Sequence, residues 1–127
     1  MPPIAVILVD HGSRQPEAAA ALAQVAQMAA QRLGLPVETA HLEIGQPTLD
    51  EAIDRTIAGG VSQIIVCPYF LAAGRHSQVD IPHVLSAARE RHAGVKIQLA
   101  EPLGADALLA ELIARRIRPL LPDGKSV

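Results

Sequence analysis

The sequence predicts an α/β fold: a three-layer sandwich around one parallel sheet, with its four strands in the order 2-1-3-4. Two observations lead to this prediction. Four strand-like segments alternate with four helix-like segments along the chain. Segments 4–9 and 61–70 are predominantly apolar, which is typical of central strands, whereas 37–43 and 95–99 alternate apolar and polar residues, as edge strands do. Central strands one and three, flanked by two and four, make a small flavodoxin-like sheet.

The helix-like segments carry recognisable start and stop signals. The first helix is expected over 16–33, because proline suits its first turn and a glycine follows its end. A Thr-x-x-Glu capping box at 48–51 predicts the start of the second helix. Asp80 is expected to cap the third helix. The last helix, 105–120, is expected to turn one apolar stripe inward, namely Leu109, Ile113 and Ile117.

Composition and charge limit the class of protein. The 127 residues predict a single domain over 1–127, with a core at about 4–120 and a short C-terminal tail. A formal charge of −2 without a basic cluster argues against a nucleic-acid partner. No apolar run approaches the length of a membrane-spanning helix, so no membrane association is expected. Cys67 is the single cysteine, so no disulfide framework is expected either. We expect a cytoplasmic protein.

Three polar side chains are expected at one edge of this sheet. His11 follows strand one, His76 follows strand three, and each lies beside a glycine and an arginine. Glu43 ends strand two. The carboxyl ends of these strands meet at the switch point, where open α/β sheets bind their ligands. The remaining histidines lack this context and are interpreted as surface or helix-packing residues: His41, His83 and His92.

This set of side chains favours a metal-handling site. Two neutral imidazoles suit a borderline divalent metal such as Fe, Co, Ni or Zn, and Glu43 would act as a base or a further ligand. So few protein ligands leave coordination positions open, as in sites where a metal reacts or is passed on. From the residues alone, the chain is either a metal-dependent α/β enzyme or a carrier.

Several motifs, in their order and spacing, resemble those of the small CbiX-type sirohydrochlorin chelatases. The resemblance runs from about residue 4 to the last helix. It is strongest to the sirohydrochlorin ferrochelatases of plants and cyanobacteria, which make sirohaem. The motifs are Val-Asp-His-Gly-Ser-Arg at 9–14, Ala-His-Leu-Glu at 40–43 with Gln-Pro-Thr at 46–48, Gly-Arg-His at 74–76 with Asp-Ile-Pro at 80–82, and Glu-Pro-Leu-Gly at 101–104.

The resemblance implies a lyase that inserts Fe²⁺, for sirohaem, or Co²⁺, for cobalamin, into sirohydrochlorin as two protons leave; Ni²⁺ is a further possibility. It implies that His11 and His76 hold the metal and that Glu43 helps to remove protons. The side chains expected to bind the carboxylate-rich ring are Ser13, Arg14, Tyr69, Phe70, Arg75, Ser77 and Gln78.

The resemblance also implies an assembly and a cofactor requirement. Larger relatives carry two fused copies of this unit, so a single copy, or half unit, implies a homodimer. The plant form has a cysteine-bearing C-terminal tail that this sequence lacks, so no iron–sulfur cluster is expected. No cofactor is expected beyond the substrate metal ion.

The sequence disfavours two other functions of this fold and leaves a third open. A flavin-binding electron carrier needs a Ser/Thr-rich phosphate loop after strand one, where this chain has His-Gly-Ser-Arg at 11–14. A phospho-receiver needs an aspartate at the end of strand three, where this chain has Tyr69 and Phe70. A non-catalytic carrier of metal or tetrapyrrole stays open, because the same ligands serve holding and inserting.

Overall fold

The computed structural model of the chain describes residues 3–72, 74 and 76–122, and for His76 and Ser77 the backbone alone. Its four strands form one parallel sheet in the order β2-β1-β3-β4, which confirms the predicted fold. The strands are β1 Ile4–Gly12, β2 Val37–Ile44, β3 Gln63–Pro68 and β4 Lys96–Leu99. The helices that connect and follow them are α1 Pro16–Leu33, α2 Leu49–Ala58, α3 Ile81–Arg91 and α4 Ala107–Ile117.

The two faces of the sheet carry separate cores. Ile7 and Val9 of β1 face α2 and α3, in a cluster that includes Ile53 and Leu85. Leu8 faces the opposite way and packs with residues of α1. Because successive side chains of a strand point to opposite faces, a strand covered on both sides has to be apolar throughout. β1 therefore lies inside the molecule, and its carboxyl end holds a fixed position relative to the helices on both sides.

Local signals in the sequence set most element boundaries as expected. Gly34 follows α1 in the left-handed conformation, with φ 68°, and its N–H donates to the Ala30 carbonyl. At α2, the Glu51 N–H donates to the Thr48 hydroxyl at 3.2 Å, and the Thr48 N–H donates to the Glu51 carboxylate at 2.9 Å. β3 is shorter than the segment 61–70 predicted from its apolar residues.

The start of α3 differs from the prediction. Asp80 is at the N-cap position, but its side chain makes no capping hydrogen bond. The reason is that 76–80 already forms a π-helical turn that runs directly into α3. Asp80 accordingly has helical φ and ψ angles of −71° and −46°, and not the extended geometry of a side-chain cap.

α4 also differs from the prediction, because its apolar stripe does not face the core. Ile113 is 53% exposed and Ile117 is 48% exposed, so the prediction that they stack inward was wrong. None of the α4 residues, all of which the structure describes, is buried. Sequence periodicity identified an amphipathic helix but not the surface that covers it. Over the described residues, no helix has the length and apolar character needed to cross a membrane.

Candidate active site

The ends of β1 and β3 lie side by side at the carboxyl edge of the sheet. The strands pair up to Val9 and Pro68, and the Tyr69 N–H then donates to the Val9 carbonyl. The segment that follows β4 crosses the same edge, where the Leu103 N–H donates to the Phe70 carbonyl at 3.0 Å. Backbone hydrogen bonds thus hold Tyr69 and Phe70 beside the end of β1, which carries His11, at the predicted switch point.

His11 rests against an aromatic ring. Its imidazole centroid lies 4.6 Å from that of Phe70, and the two rings are tilted by 49°. Phe70 is half-buried and packs against the larger core cluster, whereas His11 is exposed. Such a contact limits the orientations open to the imidazole while solvent and ligands still reach it. Phe70, predicted as a substrate-binding residue, therefore also supports His11.

The β1–β2 pairing becomes irregular opposite His11. Asp10 pairs with His41 and Gly12 pairs with Ile44, so an advance of two residues along β1 corresponds to an advance of three residues along β2. The extra residue lies in the part of β2 that contains Glu43. Bulges of this kind are frequent beside active sites, because they change the direction of a side chain at the end of a strand. Here Glu43 is exposed and lies within the irregular part of β2, next to the end of β1 that carries His11.

Gly12 makes this close approach possible. Its φ is 96°, a backbone angle that residues with a side chain rarely adopt. A Cβ placed there would lie 1.8 Å from the Ile44 carbonyl oxygen. The glycine is therefore needed for the contact between the two strands as well as for its own backbone angles. The sequence shows that a glycine lies beside His11, but it does not predict the contact of that glycine with Ile44.

His41 is part of the structure beneath the site, and its interpretation as a surface or helix-packing residue was wrong. It is 6% exposed, and its Nδ1 lies 2.6 Å from Oδ1 of Asp10. Its backbone N–H donates to the Pro47 carbonyl at 3.0 Å. The signal that sequence reasoning missed is the matching position of Asp10 and His41 at the ends of two strands predicted to be neighbours.

The other predicted site residues differ in how far the structure describes them. Ser13 and Arg14 are exposed in the loop after β1, and the Ser13 hydroxyl accepts the Gln15 N–H at 3.0 Å. Tyr69 and Gln78 are also exposed. Arg75 and the side chains of His76 and Ser77 lie outside the described part of the chain. The assignment of His11 and His76 as metal ligands therefore stays a prediction.

The remaining candidate groups lie away from this edge or have other partners. His83 is exposed on α3, and His92 lies 2.8 Å from the Asp54 carboxylate, so both fit the surface or helix-packing interpretation. Burial raises the pKa of the Cys67 thiol, which disfavours the thiolate that binds metals. Among the side chains that the structure describes, no group of three or more His, Cys, Asp or Glu residues is arranged to hold a metal ion.

An open parallel sheet with an imidazole and a carboxylate at the ends of its strands places this chain among the α/β proteins, which usually bind ligands at that edge. Residues 5–120 match the CbiX family model. The chain therefore belongs to the CbiX family.

Known proteins similar to this chain fall into two size classes. The chloroplastic sirohydrochlorin ferrochelatase of Arabidopsis thaliana is 34% identical over 117 residues, which are 91% of this chain and 52% of that protein. The sirohydrochlorin cobaltochelatase of Methanothermobacter thermautotrophicus is 36% identical over 132 residues, 92% of either protein. The crystal structure of the sirohydrochlorin chelatase SirB from Bacillus subtilis subspecies spizizenii in complex with cobalt is 26% identical, with a TM-score of 0.86 over 94% of this chain and 51% of SirB.

This chain spans about half the length of the Arabidopsis protein and of SirB, and nearly the whole of the Methanothermobacter protein. The sequence-based identification of the family is confirmed. The fold shared with SirB shows that the unit described above recurs in a chelatase solved with cobalt.

Gly12→Ala should lower the free energy of unfolding by about 2–4 kcal/mol, because the new methyl group collides with the Ile44 backbone and the φ angle is strained. Urea unfolding followed by circular dichroism measures the change. Gly94→Ala is the matched control, because the space around Gly94 is open and its φ is not positive. Equal stability of the two variants would contradict the close approach of β1 and β2.

Proposed function

We propose that this chain, as a single chelatase domain, inserts Fe²⁺ or Co²⁺ into sirohydrochlorin. The observation that carries the proposal is the carboxyl edge of the sheet, where His11 lies on Phe70 opposite the bulge that contains Glu43. Membership of the CbiX family and the names of the similar proteins supply the substrate. The metal ion is a substrate of this reaction, because it leaves in the product.

The proposed reaction exchanges two protons for one metal ion. The divalent ion binds the tetrapyrrole nitrogens as both pyrrole N–H protons leave, so charge is conserved. His11 and His76 present the ion with coordination positions open, which lets the ring nitrogens replace water and then the imidazoles. Glu43 is exposed at the same edge and accepts a proton as the ring is metallated.

The ring is held by polar groups around the edge. Arg14 and Arg75 would pair with its carboxylates, since guanidinium groups bind carboxylates through paired hydrogen bonds. Tyr69 would contact the ring face. The remaining contacts come from Ser13, Ser77 and Gln78. The proposal includes no nucleotide, redox cofactor, iron–sulfur cluster, nucleic acid or membrane, and it places the protein in the cytoplasm.

A non-catalytic carrier of metal or tetrapyrrole is the alternative function, because binding uses the same side chains as insertion. Turnover separates the two functions. An anaerobic assay with Fe²⁺ and Co²⁺ in parallel measures the metallated ring formed per protein chain. An enzyme yields many product molecules per chain, whereas a carrier stops at one equivalent.

His11→Ala and His76→Ala should each lower metal insertion by at least about a hundredfold, because each removes a proposed metal ligand. Both variants should keep the wild-type circular dichroism spectrum. His83→Ala is the control, since His83 is exposed on α3 and away from the edge. Near-normal turnover in either of the first two variants would remove that histidine from the proposed metal pair.

Glu43→Gln should reduce turnover by about 10²–10⁴-fold if Glu43 accepts a pyrrole proton, because the amide keeps the shape but not the basicity. Isothermal titration with Co²⁺ alone measures metal affinity in the same protein. A base predicts that affinity is largely kept, whereas a ligand predicts that affinity falls first. No change in either quantity would leave Glu43 outside the chemistry.

We also propose that two copies form a symmetric dimer. One sheet edge is open, and a macrocycle needs contacts on more than one side. SirB is about twice as long as this chain, so a second copy would stand in for its remaining half.

The exposed apolar residues of α4 favour this assembly. Leu108 is 80% exposed, and it lies on the same helix as Ile113 and Ile117. A helix with so much exposed apolar surface gains free energy by packing against a partner. On the α1 side of the sheet, Ile65 of β3 is only partly buried and belongs to neither core cluster. A second copy therefore finds apolar surface on a helix and on the sheet.

Ile113→Glu combined with Ile117→Glu should convert the dimer into a monomer, because two carboxylates would be buried in the contact. Analytical ultracentrifugation at micromolar concentration measures the change. The fold should survive, since both side chains are about half exposed in the single chain. Ser86→Glu combined with Ala87→Glu, at two exposed positions of α3, is the charge-matched control. A wild-type monomer with full chelatase activity would contradict the proposed assembly.

A further inference from the structure

We propose that His41 and Asp10 are a positioning pair that holds His11 and Glu43 in register for metal insertion. The proposal rests on the proposed function and extends it to residues beneath the site. Neither residue is placed in contact with the metal or the ring. Asp10 directly precedes His11, and His41 lies two residues before Glu43. The pair would therefore affect the reaction through the positions of His11 and Glu43.

The contact between the two side chains is short and shielded from water. His41 is 6% exposed, and Asp10 is partly buried. The imidazole Nδ1–H donates to the Asp10 carboxylate, with 2.6 Å between Nδ1 and Oδ1. A buried hydrogen bond to a carboxylate is stronger than one between neutral groups, and leaving one member without its partner is costly.

The position of the pair in the sheet gives it a specific role. Asp10 and His41 are the last residues of β1 and β2 that pair before the bulge. The side-chain bond therefore fixes the two strands to each other at the point where their backbone pairing becomes irregular. His11 is the next residue of β1, and Glu43 lies within the bulge, so both follow directly from this fixed point.

The imidazole also supports the loop that returns from β2 to α2. A Cβ built at Gly45 would lie 3.0 Å from Cδ2 of His41, so the loop backbone lies directly on the ring. The His41 N–H donates to the Pro47 carbonyl on the far side of the same loop. The side chain of His41 thus contacts β1 and the loop after β2, and its backbone N–H adds a second bond to that loop; an apolar ring would lack the bond to β1.

A merely structural role would change stability without changing the reaction of the folded protein. A positioning role changes kcat, because a displaced His11 or Glu43 reaches the reacting atoms with poorer geometry. The KM for sirohydrochlorin should change little, since the side chains proposed to bind the ring are in the loops after β1 and β3. The two roles are therefore separated by kinetic constants measured on folded protein.

His41→Phe is the first test variant, because it keeps an aromatic ring beneath Gly45 but loses the bond to Asp10. We expect a decrease in kcat of about 10–100-fold, with KM within about twofold of wild type. His41→Asn should recover most of the loss, because its amide nitrogen is placed to donate to the Asp10 carboxylate as Nδ1 does. His83→Phe, on the exposed side of α3, is the matched control and should leave kcat unchanged.

Asp10→Ala keeps the test decisive if His41→Phe does not fold. The two residues act as one unit if the double variant Asp10→Ala/His41→Phe loses no more activity than the single variants. The proposal is overturned if folded His41→Phe or Asp10→Ala keeps wild-type kcat, or if His41→Asn is as impaired as His41→Phe. It is also overturned if the two losses add independently.

Titration with Co²⁺ alone separates failure of this inference from failure of the proposed function. If the wild-type protein metallates no sirohydrochlorin, the proposed function fails. Co²⁺ affinity then remains as the test of the pair: weaker binding in His41→Phe than in His83→Phe supports the positioning role, and equal binding overturns it. Circular dichroism and urea unfolding on each variant show that the comparison is made between folded proteins.

Discussion

Burial of β1 on both faces is the constraint on which the rest of the structure depends. Five consecutive residues of this strand, 5–9, are buried between α1 on one side and α2 and α3 on the other. No polar side chain is accommodated within that stretch, so polar chemistry begins where the strand leaves the core. Asp10 and His11 are the first residues beyond it. The position of the candidate site is therefore a consequence of how the core is packed.

The sequence was sufficient to predict the fold because its hydrophobic patterns report burial directly. The apolar runs of β1 and β3 identified central strands, and the capping box at Thr48 identified the start of α2. The place of His11 at a switch point followed from topology alone. These features depend on local patterns and on general rules of parallel sheets, which a single sequence contains.

Three features could not be predicted in the same way, because each depends on contacts between distant segments. The alternating pattern of β2 predicts His41 and Glu43 on the same face of the sheet. The bulge interrupts the regular alternation between them, and His41 is buried whereas Glu43 is exposed. α4 has an apolar stripe, yet periodicity does not specify what covers it. Asp80 has the residue type of a cap, but the π-helical turn before it removes the extended geometry that a cap requires.

The contact between Gly12 and the Ile44 carbonyl also limits how this site can diverge. Any side chain at position 12 would collide with the Ile44 backbone, so a ligand or a charge cannot be added there unless β1 and β2 first move apart. At this end β1 consequently contributes the side chain of His11, and position 12 adds none before the loop begins. New specificity has to arise in the loops after β1 and β3, which makes these loops the places where relatives with different metals are expected to differ most.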